Sequence, residues 1–123
     1  MTISASGSLS FSGLGINLSA ALNGIAQSPG VNAQSITQSI PTTGGGTALK
    51  IPSLSNVGWC FIVNRDATNY VDIMTAIAGS SGVAFARLEP GEFCLLRLNP
   101  AITAPAALAN AAPVEVEILA AEI

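Results

Sequence analysis

Apolar residues in this chain gather in short runs that turn residues separate. The two clearest runs are Gly58-Trp59-Cys60-Phe61-Ile62-Val63-Asn64-Arg65 and Glu92-Phe93-Cys94-Leu95-Leu96-Arg97-Leu98. β-Branched and aromatic residues dominate the first run, and turn residues bound both, which is typical of strands. We therefore predict strands over 58–65 and 92–98.

A two-residue alternation marks the first part of the chain. Over 3–12 every even position is serine and every odd position is apolar or glycine. This period predicts an extended segment with Ile3, Ala5, Leu9 and Phe11 on one face. The alternation resumes at Ile16, and the pair at 23–24, Asn-Gly, indicates a hairpin turn. A short amphipathic helix over 16–26 is the alternative.

The remaining pattern completes an all-β prediction. Glu89-Pro90-Gly91-Glu92 has proline and glycine where a type II turn needs them, and 101–112 is a loose Ala/Pro segment. Turn signals every 8–12 residues are typical of a β-sandwich or small barrel. We predict a single-domain β-sandwich over 1–123, jelly-roll-like, with eight to nine short strands and 1–15 as a candidate extended N-terminal arm. Further strands are predicted over 31–40 (a polar edge strand), 47–51, 70–76, 83–88 and 114–119.

The composition points to a surface that other subunits cover. Half of the residues are hydrophobic and only 9% are charged, whereas charged residues make up about 25% of a typical soluble domain. The mean hydropathy is +0.57. Serine, threonine and asparagine can supply some solubility, but we also expect a homo-oligomer.

Titratable groups are too few for common catalytic chemistry. The chain has no histidine, the side chain most often used for proton transfer at neutral pH. We therefore predict no enzyme activity, no metal site and no cofactor. Cys60 and Cys94 lie inside apolar runs and are interpreted as buried free thiols.

Charge and hydropathy also exclude several partners and locations. The net charge is −3, and the four basic residues are scattered, so nucleic acid is not an expected partner. No stretch reaches the roughly 18 apolar residues of a membrane helix, and no signal peptide is evident. We expect a protein made and kept in a cytoplasm.

Three small groups of residues are candidates for other roles. Glu89 and Glu92 flank one turn, which favours solubility over a catalytic carboxylate pair. Trp59 and Tyr70 are either core or interface aromatics or a sugar-stacking platform. Arginines in apolar strands usually pair with carboxylates, within the fold or across an interface; the candidates are Arg65, Arg87 and Arg97.

Several motifs resemble small tailed-bacteriophage proteins. The stretch from Trp59 through Asn64-Arg65-Asp66-Ala67-Thr68-Asn69-Tyr70-Val71 to Ile73 is similar to a strand and turn of that group. The segment from Phe85 to Leu98, a Val114-Glu115-Val116-Glu117-Ile118 strand and the upstream Thr37-Gln38-Ser39-Ile40 also resemble it, so the likeness covers about 36–123. The group is virion-structural, and the resemblance implies no catalytic residues.

The resemblance implies a capsid decoration (cement) protein that docks as an oligomer, with a trimer as the first expectation, on the major capsid protein of a phage assembled in the bacterial cytoplasm. A tail or head–tail joining component of the virion is the alternative, and a carbohydrate-binding receptor module is a third hypothesis.

The alternating N-terminal segment is the candidate interface. An extended arm with one apolar stripe can add a strand to the sheet edge of a neighbour. Pairing within the chain's own sandwich is the alternative, since consecutive strands usually pair locally. The residues that would contact a neighbouring subunit or the capsid are Ile3, Ala5, Leu9 and Phe11.

Overall fold

A computed structural model describes residues 3–13, 16–27, 33–51, 57–76, 82–99 and 105–122. All regular structure in these ranges is β-strand, and they contain no helix, which confirms the all-β prediction. The chain divides into two compact units, Met1–Gly30 and Val31–Ile123. The single domain over 1–123 and the extended arm over 1–15 both stay predictions. No helix in the ranges given is long and apolar enough to cross a membrane.

The first unit is a long antiparallel hairpin. Strand β1 (Ile3–Gly13) pairs with β2 (Ile16–Gln27), from Ile3 opposite Gln27 to Gly13 opposite Ile16, with a bulge between Ala5 and Gly7. The reversal therefore lies between Gly13 and Ile16. The predicted turn at 23–24 and the alternative helix over 16–26 are both wrong, because β2 continues as a strand through these residues. Asn23 and Gly24 lie opposite Ser6 at the bulge, where the register of the hairpin shifts.

The described part of the second unit contains eight strands in two four-stranded antiparallel sheets. The first sheet has the order β3-β10-β5-β8 and the second the order β4-β9-β6-β7. The strands are β3 (Ala33–Ile40), β4 (Thr47–Ala48), β5 (Val57–Asn64), β6 (Val71–Met74), β7 (Ala84–Leu88), β8 (Phe93–Arg97), β9 (Ala106–Ala109) and β10 (Val114–Glu122).

The pairing of these strands is nested. The outermost strands of the unit, β3 and β10, pair with each other, and so do β4 with β9, β5 with β8, and β6 with β7. Two further pairings, β10 with β5 and β6 with β9, join these couples into the two sheets.

One core lies between the two sheets. Along β10, Val116 and Ile118 are buried whereas Glu115 and Leu119 are exposed, so one face of the strand is turned inward. Inward side chains of both sheets form a single cluster, with Ile62 and Ile118 from the first sheet and Ile73, Leu88 and Ala107 from the second. Two sheets that share one core form a β-sandwich.

A strand is confirmed within each of the predicted ranges 31–40, 58–65, 70–76, 83–88, 92–98 and 114–119, and β3 is indeed an edge strand. Residues 31 and 32 lie outside the described residues. The strand over 47–51 is shorter than predicted, with only Thr47 and Ala48 in β4. Strand β9 lies in the segment that was interpreted as loose. Its sequence is Ala-Ala-Leu-Ala, which has low strand propensity, so pairing with β4 and β6 determines its conformation.

Two turns fix the end of the sandwich where β5 stops. The Glu89–Glu92 turn has a 3.0 Å hydrogen bond from Glu92 N–H to Glu89 O, and Gly91 has a φ of 80°, which confirms the predicted type II turn. Asp66 builds the other turn: its carboxylate accepts hydrogen bonds from the N–H groups of Thr68 and Asn69 at 2.8 and 2.7 Å.

Asn64 joins these two turns. Its side chain is fully buried and donates to Asn69 O at 2.9 Å and Leu88 O at 3.0 Å. It also accepts a 2.8 Å hydrogen bond from Asp66 N–H. A buried amide is tolerated only with such partners, so Asn64 links the end of β5 to the Asp66 turn and the end of β7.

Candidate interaction surface

The outer face of the first sheet combines a polar half with an apolar half. On β3 the outward positions are polar, with Ser35 and Thr37 exposed. Across β5 and β8 the outward positions are apolar, and they continue onto the end of β10, because Leu119 pairs with Phe61 and Phe61 pairs with Leu95. We name the apolar half the apolar patch; it comprises Phe61, Val63, Phe93, Leu95 and Leu119.

The apolar patch is open to solvent at Phe93 and Leu119. Phe93 is 60% exposed and Leu119 is 41% exposed. The rings of Phe61 and Phe93 pack with centroids 5.1 Å apart and an interplanar angle of 40°. Val63, opposite Phe93 in the register, is only 5% exposed. A contiguous exposed apolar surface with packed aromatics is typical of a protein interaction site.

Charged groups border the apolar patch. The Arg65 guanidinium donates twice to Glu117 Oε2, at 2.8 Å from Nε and 2.5 Å from Nη2. Arg97 ends β8 on the same face and is exposed. Among the described residues Arg97 has no ion-pair partner. The predicted pairing of strand arginines with carboxylates is confirmed for Arg65 and for Arg87, which bonds Asp72.

Part of the outer face of the second sheet is covered by polar contacts within the chain. Arg87 donates to both oxygens of Asp72, at 2.8 and 3.2 Å. The same guanidinium lies 3.7 Å from the centroid of the Tyr70 ring, a cation–π contact that covers one face of the aromatic. Arg87, Asp72 and Tyr70 therefore have interaction partners within the chain.

The sugar-platform alternative has little geometric support. Trp59 lies in β5 five residues before Asn64, which is about 16 Å along an extended strand. The hydrogen bond between Asn64 and Asn69 places Tyr70 at the Asn64 end. Positions 59 and 70 therefore lie towards opposite ends of the sandwich.

A narrow cleft opens between the sheets at the end away from Asn64. Its walls are entirely apolar and include Phe85, which is half-exposed and lies at the bulge opposite Ile73 and Met74. The cleft encloses about 10 Å³, roughly what a single water molecule needs. It is too small for an organic ligand.

The two cysteines face the core as free thiols, as predicted. Cys60 pairs with Leu96 and Cys94 pairs with Ile62, so the two thiols are diagonal neighbours on the inner face. Burial raises the pKa of Cys60 to about 12 and that of Cys94 to about 11, and the proximity of Cys94 adds to the effect on Cys60. Thiols with such pKa values are poor nucleophiles at neutral pH.

The remaining candidates have structural roles. Glu92 Oε2 accepts a 2.9 Å hydrogen bond from Glu89 N–H, so this carboxylate closes its own turn. Within the described ranges, histidine, cysteine, aspartate and glutamate form no group of three that could hold a metal ion.

The predicted arm residues all lie in β1. Ile3, Ala5, Leu9 and Phe11 pair with Gln27, Ile25, Ala20 and Leu18 of β2. Their proposed contact with a neighbouring subunit stays a prediction.

The apolar patch itself was missed from the sequence. A signal was available: in 60–63, Cys-Phe-Ile-Val, consecutive residues are apolar, and such a run indicates a strand covered on both faces.

Comparison with protein-family models, with curated proteins and with solved structures gave no match to this chain.

Proposed function

We propose that this chain is a non-enzymatic structural protein of a bacteriophage virion, a capsid decoration protein that docks as a homo-oligomer on the lattice of the major capsid protein and stabilises the head. The observation that carries the proposal is the apolar patch, because a sheet face with exposed Phe93 and Leu119 suits a stable protein contact. The low charge content of the chain supports the same conclusion.

The nested strand order supports the jelly-roll form of the sandwich. Eight strands that pair first with last, in two four-stranded sheets, follow the order expected when a long hairpin is rolled into two Greek keys. Jelly rolls occur in viral capsid proteins, lectins and cupins. A cupin-type metal centre relies on histidine ligands, which this sequence lacks, and the lectin option is weakened by the separation of Trp59 and Tyr70.

Binding to phage particles tests the proposal. Particles of the encoding phage that lack this protein are mixed with the purified chain, sedimented and imaged. We expect saturable binding and additional density on the head. Density on the tail or neck would instead favour the tail or head–tail joining alternative, and absence of binding would contradict both.

A matched pair of variants tests the role of the apolar patch. Phe93→Ser removes a ring that is 60% exposed on the first sheet, and Phe85→Ser removes one that is 50% exposed on the second. We expect particle binding to fall at least about tenfold for Phe93→Ser, as is common for a buried aromatic anchor, and to be unchanged for Phe85→Ser. Equal losses of particle binding in the two variants would exclude the apolar patch as the docking surface.

A further inference from the structure

Three of the four sheet edges in the described part of the second unit are protected against pairing. Strand β3 is polar, β4 has only two residues, and β7 contains a bulge and Arg87. Short, polar or bulged edges are the usual ways in which proteins avoid adding strands. Strand β8, Phe-Cys-Leu-Leu-Arg, is apolar and pairs with β5 without a register shift, so it is the open edge.

Among the described residues, backbone groups of β8 along this edge have no hydrogen-bond partner. Asn64 N–H donates to Glu92 O at 2.9 Å, so the carbonyl of Glu92 is directed towards β5. Hydrogen-bonded and non-hydrogen-bonded pairs alternate along an antiparallel ladder. The N–H and C=O groups of Phe93, Leu95 and Arg97 are therefore directed away from β5.

These outward groups are self-complementary. If two β8 strands pair antiparallel around a two-fold axis at Leu95, each Phe93 stands opposite Arg97 of the second copy. Every outward N–H and C=O of Phe93, Leu95 and Arg97 then has a partner. The exposed Arg97 then meets the exposed ring of Phe93, the same cation–π chemistry that Arg87 and Tyr70 make within the chain.

We infer that β8 is a two-fold interface at which a second copy of this chain adds its own β8, joining two first sheets into one eight-stranded sheet. The apolar patches of the two copies then become continuous across the axis. The occupant is a second copy because the Phe93–Arg97 pairing uses an aromatic and a cation that both belong to this strand. The inference rests on the homo-oligomer part of the proposed function and specifies a two-fold contact.

Sedimentation of the full chain with a proline variant is the first test. In Leu95→Pro only an outward N–H is lost, and proline is tolerated on edge strands, so pairing with β5 is retained. We expect the wild-type chain to form a dimer at high micromolar concentration and Leu95→Pro to be at least about tenfold weaker in self-association. A wild-type oligomer that Leu95→Pro leaves unchanged would overturn the β8 inference but not the homo-oligomer proposal.

Disulfide trapping gives a result that does not depend on the proline variant folding. Across the two-fold axis the Cα atoms at position 95 would be about 5.5 Å apart, within the range of a disulfide. We expect Leu95→Cys to form a covalent dimer under mild oxidation at least about tenfold faster than Thr37→Cys, an exposed site on the β3 edge. Equal rates, or no Leu95→Cys dimer, would overturn the inference, while particle binding tests the virion assignment separately.

Discussion

At the residue scale, loss of the Asn64 side chain should strongly lower the stability of the fold. It is fully buried, and its removal leaves Leu88 O, Asn69 O and Asp66 N–H without their partner. We expect Asn64→Ala to lower the free energy of unfolding by about 2–3 kcal/mol, as is typical when buried polar groups are left unsatisfied. Urea unfolding measures this, with the exposed Asn110→Ala as the control. Similar losses in both variants would contradict this role.

Two neighbouring glycines separate backbone strain from steric conflict. Gly44 and Gly46 both have positive φ values, 70° and 99°, but a Cβ at Gly44 would meet nothing within 4 Å, whereas one at Gly46 would lie 2.5 Å from Ala107 O. We expect Gly44→Ala to cost about 1 kcal/mol and Gly46→Ala to cost at least about 2 kcal/mol more, because β4 must move away from β9. Equal thermal unfolding midpoints for the two variants would contradict the predicted clash.

At the scale of the element, the Asp66 turn makes stability depend on pH. Hydrogen bonds from the backbone N–H groups of Thr68 and Asn69 hold the pKa of Asp66 below its usual 3.8. A carboxyl with a lowered pKa stabilises the fold above its unfolded pKa, and this contribution disappears as the pH falls through the folded pKa. The turn should therefore weaken only below about pH 4.

The variant Asp66→Asn tests this dependence. The amide oxygen can still accept from Thr68 and Asn69, but it cannot titrate. We expect wild type to be the more stable protein at pH 7 and the difference in unfolding free energy to shrink as the pH falls below 3.8. Because other carboxylates titrate in both proteins, they cancel in the difference. If the difference in unfolding free energy does not change with pH, the Asp66 carboxylate does not make the fold depend on pH.

Prediction from sequence succeeded where local signals and tertiary pairing agree. Strands β5 and β8 have β-branched or apolar runs, and the Pro90-Gly91 turn has the residues that its backbone angles require. It failed for β9, whose alanines carry no strand signal, and for β2, where an Asn-Gly pair lies at a bulge within the strand and does not reverse the chain. In both cases pairing with a partner strand determines that the segment is a strand, and a single sequence does not show which strands pair.

At the scale of the whole molecule, the candidate site was only partly predictable. The low charge content indicated a covered surface, but the sequence analysis placed the interface on Ile3, Ala5, Leu9 and Phe11. The apolar patch became visible only when pairing of β5 with both β8 and β10 aligned Phe61, Phe93 and Leu119. Recognising it requires the register of strands that are distant in the sequence.

The division of the chain into two units makes the N-terminal prediction testable. Both four-stranded sheets are built from residues after Gly30. We expect a chain that lacks residues 2–30 to keep a cooperative unfolding transition and to lose assembly or particle binding. The measurements are circular dichroism during thermal unfolding and cosedimentation with particles.

Two other outcomes of deleting residues 2–30 would contradict the arm hypothesis. An unfolded product would show that the hairpin is needed for the fold. Unchanged assembly would exclude it as an interaction arm. Deletion of residues 2–12 alone, which removes most of β1, should have the same effect on assembly, because a lone β2 has no partner in its sheet.

The nested pairing also determines when the sandwich can form as the chain is made. Strand β10 lies between β3 and β5 in the first sheet, yet it follows every other strand of the unit in the chain. Until β10 leaves the ribosome, β3 has no neighbour, and β5 has only β8. The local β6–β7 hairpin can form early, but closure waits for residues that are about 80 positions apart, and such distant contacts fold slowly. The nascent chain therefore exposes the apolar strands of the first sheet throughout its synthesis, a period in which chaperones or early self-association would act on it.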